Sequence, residues 1–409
     1  MSVQEPGSGG EGPEASTSSS QTIGGEKPKK QVQVVGAPPP LPFGGRKAEE
    51  RDEDSGDDDE DAEEDEGEED ERDEEDGEEG REGAEARQNG REEAEEEDLL
   101  ANFPEDEDTI DLTHLRLTTK ALRRLPWSKF SKSLERLSMR QNEISKITEY
   151  DVGQLNALKE LDLYDNGLEK TYGEVLKACS NLESLDYSFN SIRHISHLNH
   201  LANVHTLYFV QNKISRVRAD DLTGPIGVNL RSLELGGNKL RSLEHIGHLT
   251  KLEELWVGKN KITKLENLSS LKSLRILSIQ SNRLTKIEGL EALTNLEELY
   301  LSHNGLQALE GLESNARLTT LDVGANRIEE IKGVSHLSVL EEFWANDNAI
   351  TTIQSIDDQL GPNKCPKLNT VYLEGNPVQR SEGAAYRRKL MLALPQISQI
   401  DATFVKQAM

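Results

Sequence analysis

In a short pattern that recurs along this chain, one residue stands between two apolar residues. In order these are Ser138, Asp162, Asp186, Tyr208, Glu234, Trp256, Ser278, Tyr300, Asp322, Trp344 and Tyr372. Five are aromatic and four acidic, and they include two of the three tryptophans of the chain. Two residues before them, Glu160, Glu254, Glu298 and Glu342 add further carboxylates, whereas the main cations nearby are Arg136, Arg140 and Lys259. The chemistry open to rings and carboxylates in this mixture is recognition. Trp and Tyr bury large areas and are enriched where partners bind most tightly. Carboxylates among them select a basic patch with apolar pockets. A nucleic-acid backbone needs Lys and Arg instead. Any one of these acids is equally well explained as a solvent-facing residue; a row of exposed rings is not.

Bond-making chemistry finds no foothold. The sequence has no Ser-His-Asp setting, HExxH, Walker loop or GxGxxG. His194, His197 and His200 stand three apart, but no structural context makes them metal ligands. The acids of the row lack a pocket that would separate their pKa values. The expectation is a protein that is not an enzyme, with no cofactor and no metal.

Those side chains need elements to hold them in a row, and the repeat supplies them. The pattern L-x-x-L-x-L-x-x-N-x-L recurs around Asn142, Asn166, Asn190, Asn212, Asn238, Asn260, Asn282, Asn304, Asn326, Asn348 and Asn376, mostly at a period of 22 residues. Two apolar residues flanking one variable residue alternate on a short strand, so both enter a core and the middle one faces out. The asparagine can donate and accept, which suits the turn after the strand. The fold class expected is α/β: a leucine-rich-repeat solenoid with a curved parallel sheet of eleven strands, on the order of 50 Å long. A 22-residue coil leaves room only for 3₁₀ turns on the convex side. The longer spacings before Asn166, Asn190, Asn238 and Asn376 predict longer loops or helical turns there, with Gly224–Gly227 and Gly361–Lys364 as loops. Leu112–Leu122 reads as a degenerate first coil with Lys120 in the asparagine place, and Glu105–Asp108 as linker. A solenoid needs covered ends, and the C-terminal cover is placed from Tyr386 to Phe404.

The charge divides the chain. Of a net charge of −29 over 409 residues, the stretch Glu49–Asp98 holds 32 acids against 5 arginines. Residues 1–104 are therefore expected to be a disordered acidic tail, residues 105–385 the solenoid and residues 386–409 the cap. Within the tail, Gln31–Val35 is an apolar run before three prolines, and Ser55 sits among aspartates as a plausible phosphorylation site. The acidic block itself suits basic partners such as histones, or simply solubility. The two cysteines, Cys179 and Cys365, are far apart and form no disulfide framework. No signal peptide or membrane span is legible. A nuclear and cytoplasmic location is expected, with neither nucleic acid nor membrane as partner.

The sequence also resembles the protein phosphatase 1 regulatory subunits built from 22-residue leucine-rich repeats. The residues that carry this are Leu161–Asn166, Gly258–Leu265, Gln280–Leu290, Glu298–Gly305 and the ending Tyr386–Pro395 with Gln399–Val405, over about residues 105–406. The resemblance implies a binding subunit for the phosphatase catalytic subunit that controls its activity or maturation, with a small inhibitor protein as a further partner. It carries contact positions onto Asp186, Glu234, Asp322, Glu342, Trp344 and Tyr372, and onto Tyr208 and Trp256, where the family more usually has Phe. No Arg/Lys-x-Val/Ile-x-Phe/Trp docking motif occurs; Arg216-Val217-Arg218 lacks the final ring, which agrees with docking through the solenoid face. The alternative function is a repeat scaffold of a splicing or chromatin complex.

Overall fold

The structure is a computed structural model and describes residues 99–405. The described residues form fourteen strands in one sheet whose spatial order is the sequence order. They are β1 (Thr109–Asp111), β2 (Arg136–Ser138), β3 (Glu160–Asp162), β4 (Ser184–Asp186), β5 (Thr206–Tyr208), β6 (Ser232–Glu234) and β7 (Glu254–Trp256). There follow β8 (Ile276–Ser278), β9 (Glu298–Tyr300), β10 (Thr320–Asp322), β11 (Glu342–Trp344), β12 (Thr370–Tyr372), β13 (Gln399–Ile400) and β14 (Thr403–Phe404). All neighbours run parallel except β13 and β14, a closing antiparallel pair.

Each long strand has only three residues, and the alternation does the rest. In β9 the middle residue Leu299 and the following Leu301 are fully buried, while Glu298 and Tyr300 lie on the other face. The same pair in every coil stacks Leu233, Leu255, Leu277, Leu299 and Leu321 into one continuous core. Each such leucine contributes about 1.5–3 kcal/mol on burial.

The asparagines hold one coil to the next. The Asn260 side-chain oxygen accepts from the Leu240 N–H at 2.9 Å. Its amide donates to the carbonyls of Leu235, Val257 and Gly258 at 3.0, 3.1 and 3.2 Å. The arrangement recurs at Asn238 and Asn326, so the asparagines pair backbone groups that a buried turn would otherwise leave without partners.

On the convex side the 22-residue coils close with single 3₁₀-type turns, as in the Leu249 N–H donating to the Ile246 carbonyl. The four longer coils carry more, as their spacing predicts. Two hold the 3₁₀ segments Val152–Gln154 and Gly173–Ala178. The α-helices are α1 (Thr119–Leu122), α2 (Gly224–Asn229), α3 (Ile353–Leu360), α4 (Pro377–Glu382) and α5 (Tyr386–Ala393), of which α2 and α3 fill the remaining two long coils. Gly224–Gly227 is thus the start of a helix, with Pro225 in its first turn where a missing N–H costs nothing. Gly361–Lys364 is a turn, in keeping with its sequence.

The N-terminal end departs from the sequence reading. The first coil is set five residues earlier: Ile110 pairs with Leu137, so Ile110 and Leu112 enter the core. Leu115, not Lys120, takes the asparagine place, and Lys120 lies in α1. Asn142 compensates by accepting from both the Leu115 and Leu117 N–H groups. Glu105–Asp108 is not linker either. The Asp108 carbonyl receives the Glu135 and Arg136 N–H groups, and the Glu105 carbonyl receives the Ser133 hydroxyl. Leu100 is fully buried, so packing begins before the boundary set at residue 105. The expected tail up to Asp98, with Gln31–Val35 and Ser55, lies outside the described residues.

A candidate protein-binding face

The sheet face opposite the core presents the row. Register places Asp186, Tyr208, Glu234 and Trp256 side by side on β4 to β7, and Asp322, Trp344 and Tyr372 side by side on β10 to β12. Glu342 opens β11 on the same face as Trp344. All eight candidate residues therefore share one surface. Tyr300 on β9 joins the two groups.

The rings touch. Trp256 and Tyr300 stack with centroids 6.1 Å apart. Tyr300 meets Trp344 edge-on at 6.3 Å, and Trp344 meets Tyr372 edge-on at 5.8 Å. The first three stand on alternate strands, which are about 9.6 Å apart at the backbone. Rings closer than their strands converge above the sheet, as a concave face requires. The strands between carry Ser278 and Asp322, whose small size leaves the space into which the rings lean.

This crowding departs from a freely solvent-facing row. Tyr300, Ser278 and Asp322 are buried, and Trp256, Trp344, Tyr208 and Tyr372 are half-buried. Asp322 is also tied into the protein itself, accepting from the Gly324 N–H and from the Gln280 amide, both at 3.0 Å. The Tyr300 hydroxyl donates to Glu298 at 2.7 Å. The Trp344 indole Nε1 is buried with no acceptor in hydrogen-bonding geometry.

The carboxylates are poorly compensated. Burial raises the Glu234 carboxyl to about 7, and Asp186 and Glu254 push it the same way. Burial also raises Asp186, against hydrogen bonds from Ser188. Glu342 is raised by burial and by the nearby Glu298 and Glu341; the facing Trp344 indole tempers that rise without reaching hydrogen-bond geometry. Tyr208, between Asp186 and Glu234, has its hydroxyl raised by burial first and by those acids next. Among the described residues none of Asp186, Glu234, Glu254 or Glu342 has an ion-pair partner. The face is an apolar strip flanked by negative charge that wants a cation from outside.

A second cluster lies at the edge of this face. The Arg140 guanidinium sits 4.0 Å over the Tyr164 ring and pairs with Asp162 at 2.9 Å. Tyr164 in turn lies 4.7 Å from Phe189, which is 41% exposed. Alternation places Asp162 but not the rest, because Arg140, Tyr164 and Phe189 belong to the turns after the strands; the added signal is a large ring at Phe189, beside the repeat asparagine. Cys179 and Cys365 are free and buried. Among the described residues no group of His, Cys, Asp and Glu is placed to hold a metal ion. No described helix is long and apolar enough to cross a membrane.

Comparison with known proteins agrees with this architecture. Residues 228–270, 250–292, 272–314 and 294–338 match the family model described as Leucine Rich repeats (2 copies). A protein phosphatase 1 regulatory subunit SDS22 from Saccharomyces cerevisiae is 42% identical over 104 residues, 25% of this chain and 30% of the relative. Its namesake from Schizosaccharomyces pombe is 54% identical over 52 residues, 13% of this chain and 15% of the relative. Protein phosphatase 1 regulatory subunit 7 from Xenopus tropicalis is 66% identical over 41 residues, 10% of this chain and 11% of the relative. The resemblance read from the repeats is borne out, over segments that span less than a third of each of these relatives. Among solved structures, an internalin from Listeria monocytogenes aligns with a TM-score of 0.57 at 19% identity, covering 74% of this chain and 88% of that one. That likeness shows the leucine-rich-repeat fold alone.

Proposed function

We propose that this chain is a non-catalytic regulatory subunit of protein phosphatase 1 that holds the catalytic subunit on its concave face and controls its activity or maturation. The observation that supports this best is the joined strip Trp256–Tyr300–Trp344–Tyr372, flanked by half-buried, unpaired carboxylates. Rings supply the area that a tight interface needs, and the acids select a basic partner patch. The relatives described above carry the name of phosphatase regulatory subunits, which supplies the identity of that partner. The alternative of a splicing or chromatin scaffold has no such support.

Within this reading Asp186, Tyr208, Glu234, Trp256, Asp322, Glu342, Trp344 and Tyr372 form the contact surface. Asp322 acts from beneath it, given its burial. A small inhibitor protein completes a ternary complex, and the chain works in nucleus and cytoplasm. Titration of the full chain against purified catalytic subunit tests the central claim. Binding should be one-to-one and lost when Trp256 and Trp344 are both replaced by Ala. A double variant that keeps its melting temperature and still binds like wild type would overturn the reading. Gel filtration with the inhibitor added, and cell fractionation, test the two extensions.

A further inference from the structure

The residue that follows each repeat asparagine forms a second row, on the flank of the solenoid rather than on its sheet face. In four consecutive coils it is a cation: Lys213, Lys239, Lys261 and Arg283. Their backbones form a ladder. The N–H groups of these residues donate to the carbonyls of Ile192, Ile214, Leu240 and Ile262 in the preceding coils, at 2.8–2.9 Å. The side chains therefore rise from neighbouring rungs spaced at about 4.8 Å. Three of the four are exposed and Lys261 is half-buried. None of the four has an ion-pair partner among the described residues. Three residues further along, Lys264 and Lys286 widen the row, with Glu266 3.5 Å from Lys264. Like charges stacked this closely repel one another unless an anion lies over them.

We propose that the acidic segment Asp70–Asp98 of the same chain docks along this basic row. The segment carries sixteen carboxylates against four arginines. It enters the folded part at Leu99, beside the first coil. From β1 to β8 is seven strand spacings, roughly 34 Å, while twenty-nine residues reach up to ~95 Å when extended. A segment tethered within reach acts at an effective concentration of millimolar order, which favours it over the same segment of a second chain. The sheet face, lined with carboxylates, repels it and stays open. The proposal is independent of which partner that face binds.

Carbodiimide coupling of the full chain, read by mass spectrometry at low protein concentration, tests this. Lys213 and Lys286 should couple to carboxylates of residues 70–98 at least fivefold more than Lys120, which is near the tether but off the row, or Lys364. The excess should vanish in 0.5 M salt, where exposed charges are screened within about 4 Å. In the full-length triple variant Lys239→Glu, Lys261→Glu, Arg283→Glu, coupling at the retained Lys213 and Lys286 should fall at least fivefold. Should that variant melt early, the Gln triple at the same positions takes its place, with at least a threefold fall expected. Even coupling across all faces, coupling that joins differently labelled chains, or an unchanged pattern in a folded variant each overturns the proposal.

Discussion

At the scale of the residue, Trp344 and its neighbour Phe343 separate binding from stability. Phe343 is fully buried among the core leucines, whereas Trp344 turns the other way and touches Tyr300 and Tyr372. Trp344→Ala should weaken catalytic-subunit binding by at least ~2 kcal/mol, about thirtyfold, and shift the melting temperature by only a few degrees. Phe343→Ala should cost about 3–5 kcal/mol of folding stability. Calorimetry on both, with and without the phosphatase, checks the pair; a Trp344→Ala protein that unfolds would refute the assignment of faces. Glu234 adds a pH dependence. Its carboxyl is held at about 7 against an ordinary 4.5, so between these values the folded chain keeps a proton that the unfolded chain releases. The stabilisation is complete below about pH 4.5, falls as pH rises towards 7, and changes no further above. Glu234→Gln should remove that slope and raise stability at pH 8 by about 1–2 kcal/mol, allowing for partial solvent screening. A cation from the partner acts in the opposite sense, because it favours the ionised carboxylate. Wild-type affinity should therefore rise from pH 6 to pH 8, and the Gln variant should bind more weakly without that rise. Denaturant titrations and binding at the two pH values decide it: an unchanged slope in the variant would assign the pH dependence to Asp186 or Glu342, whose carboxyls burial also raises.

At the scale of the element, each coil is a strand, an asparagine turn and a convex return, and the asparagine is the part with no substitute. Asn260 joins three carbonyls and one N–H across two coils. Asn260→Ala orphans the Leu240 N–H in a buried turn, at about 1–3 kcal/mol; the three carbonyls keep one donor each, in the Asn238 amide, the Asn282 amide and the Gly237 N–H, so their lost bonds add smaller amounts. We expect a loss of about 2–4 kcal/mol in chemical denaturation with phosphatase affinity retained by the folded fraction; a loss under 1 kcal/mol would mean that water replaces the amide. This logic was legible in the sequence because an apolar alternation and one asparagine per coil leave few arrangements open. The four helical or 3₁₀ returns were legible too, since extra residues must go to the convex side. What was not legible lies where the pattern degenerates. Leu112, Leu115 and Leu117 mimic the repeat, and only packing shows that Ile110 and Leu112 are the core pair. Nor does alternation give curvature. It places Tyr300 and Asp322 on the outer face, but not under their neighbours, because the lean of the rings depends on Ser278 and Asp322 being small enough to lean over. The Arg140–Tyr164–Phe189 cluster escaped for the same reason: it is built by turns, whose side-chain directions no period of two describes.

At the scale of the whole molecule, a stack of coils is stable only if its ends are closed, since every inner coil is covered on both sides and a terminal one on one side. The C-terminal closure is built from several parts. β13 pairs with β12 and is itself covered by β14, so the sheet ends in an antiparallel turn rather than a free parallel edge. Asp401, in this turn, accepts from the Leu373 and Glu374 N–H groups at 2.8 and 3.0 Å, backbone groups that a further coil would otherwise have met. Arg387 from α5 donates to the carbonyls of Ile400, Thr403 and Phe404, and the Gln396 amide reaches back to the Leu360 carbonyl at the end of α3. Tyr386, Leu390, Leu394, Ile397 and Ile400 are buried by this closure. Deleting residues 386–409 removes all of it at once and leaves β12, with Val371 and Leu373, as an apolar open edge. Burial of the lost side chains is worth about 1.5–3 kcal/mol each, so the truncated chain should melt at least 10 °C lower or aggregate on expression. Asp401→Ala is the milder version: it frees two backbone donors but leaves the apolar cover, and should cost about 1–3 kcal/mol without aggregation. Thermal melts and light scattering on the two variants separate the contributions. If the truncated chain melts like the full one, the last coil closes on itself and the segment after Tyr386 is not the cap.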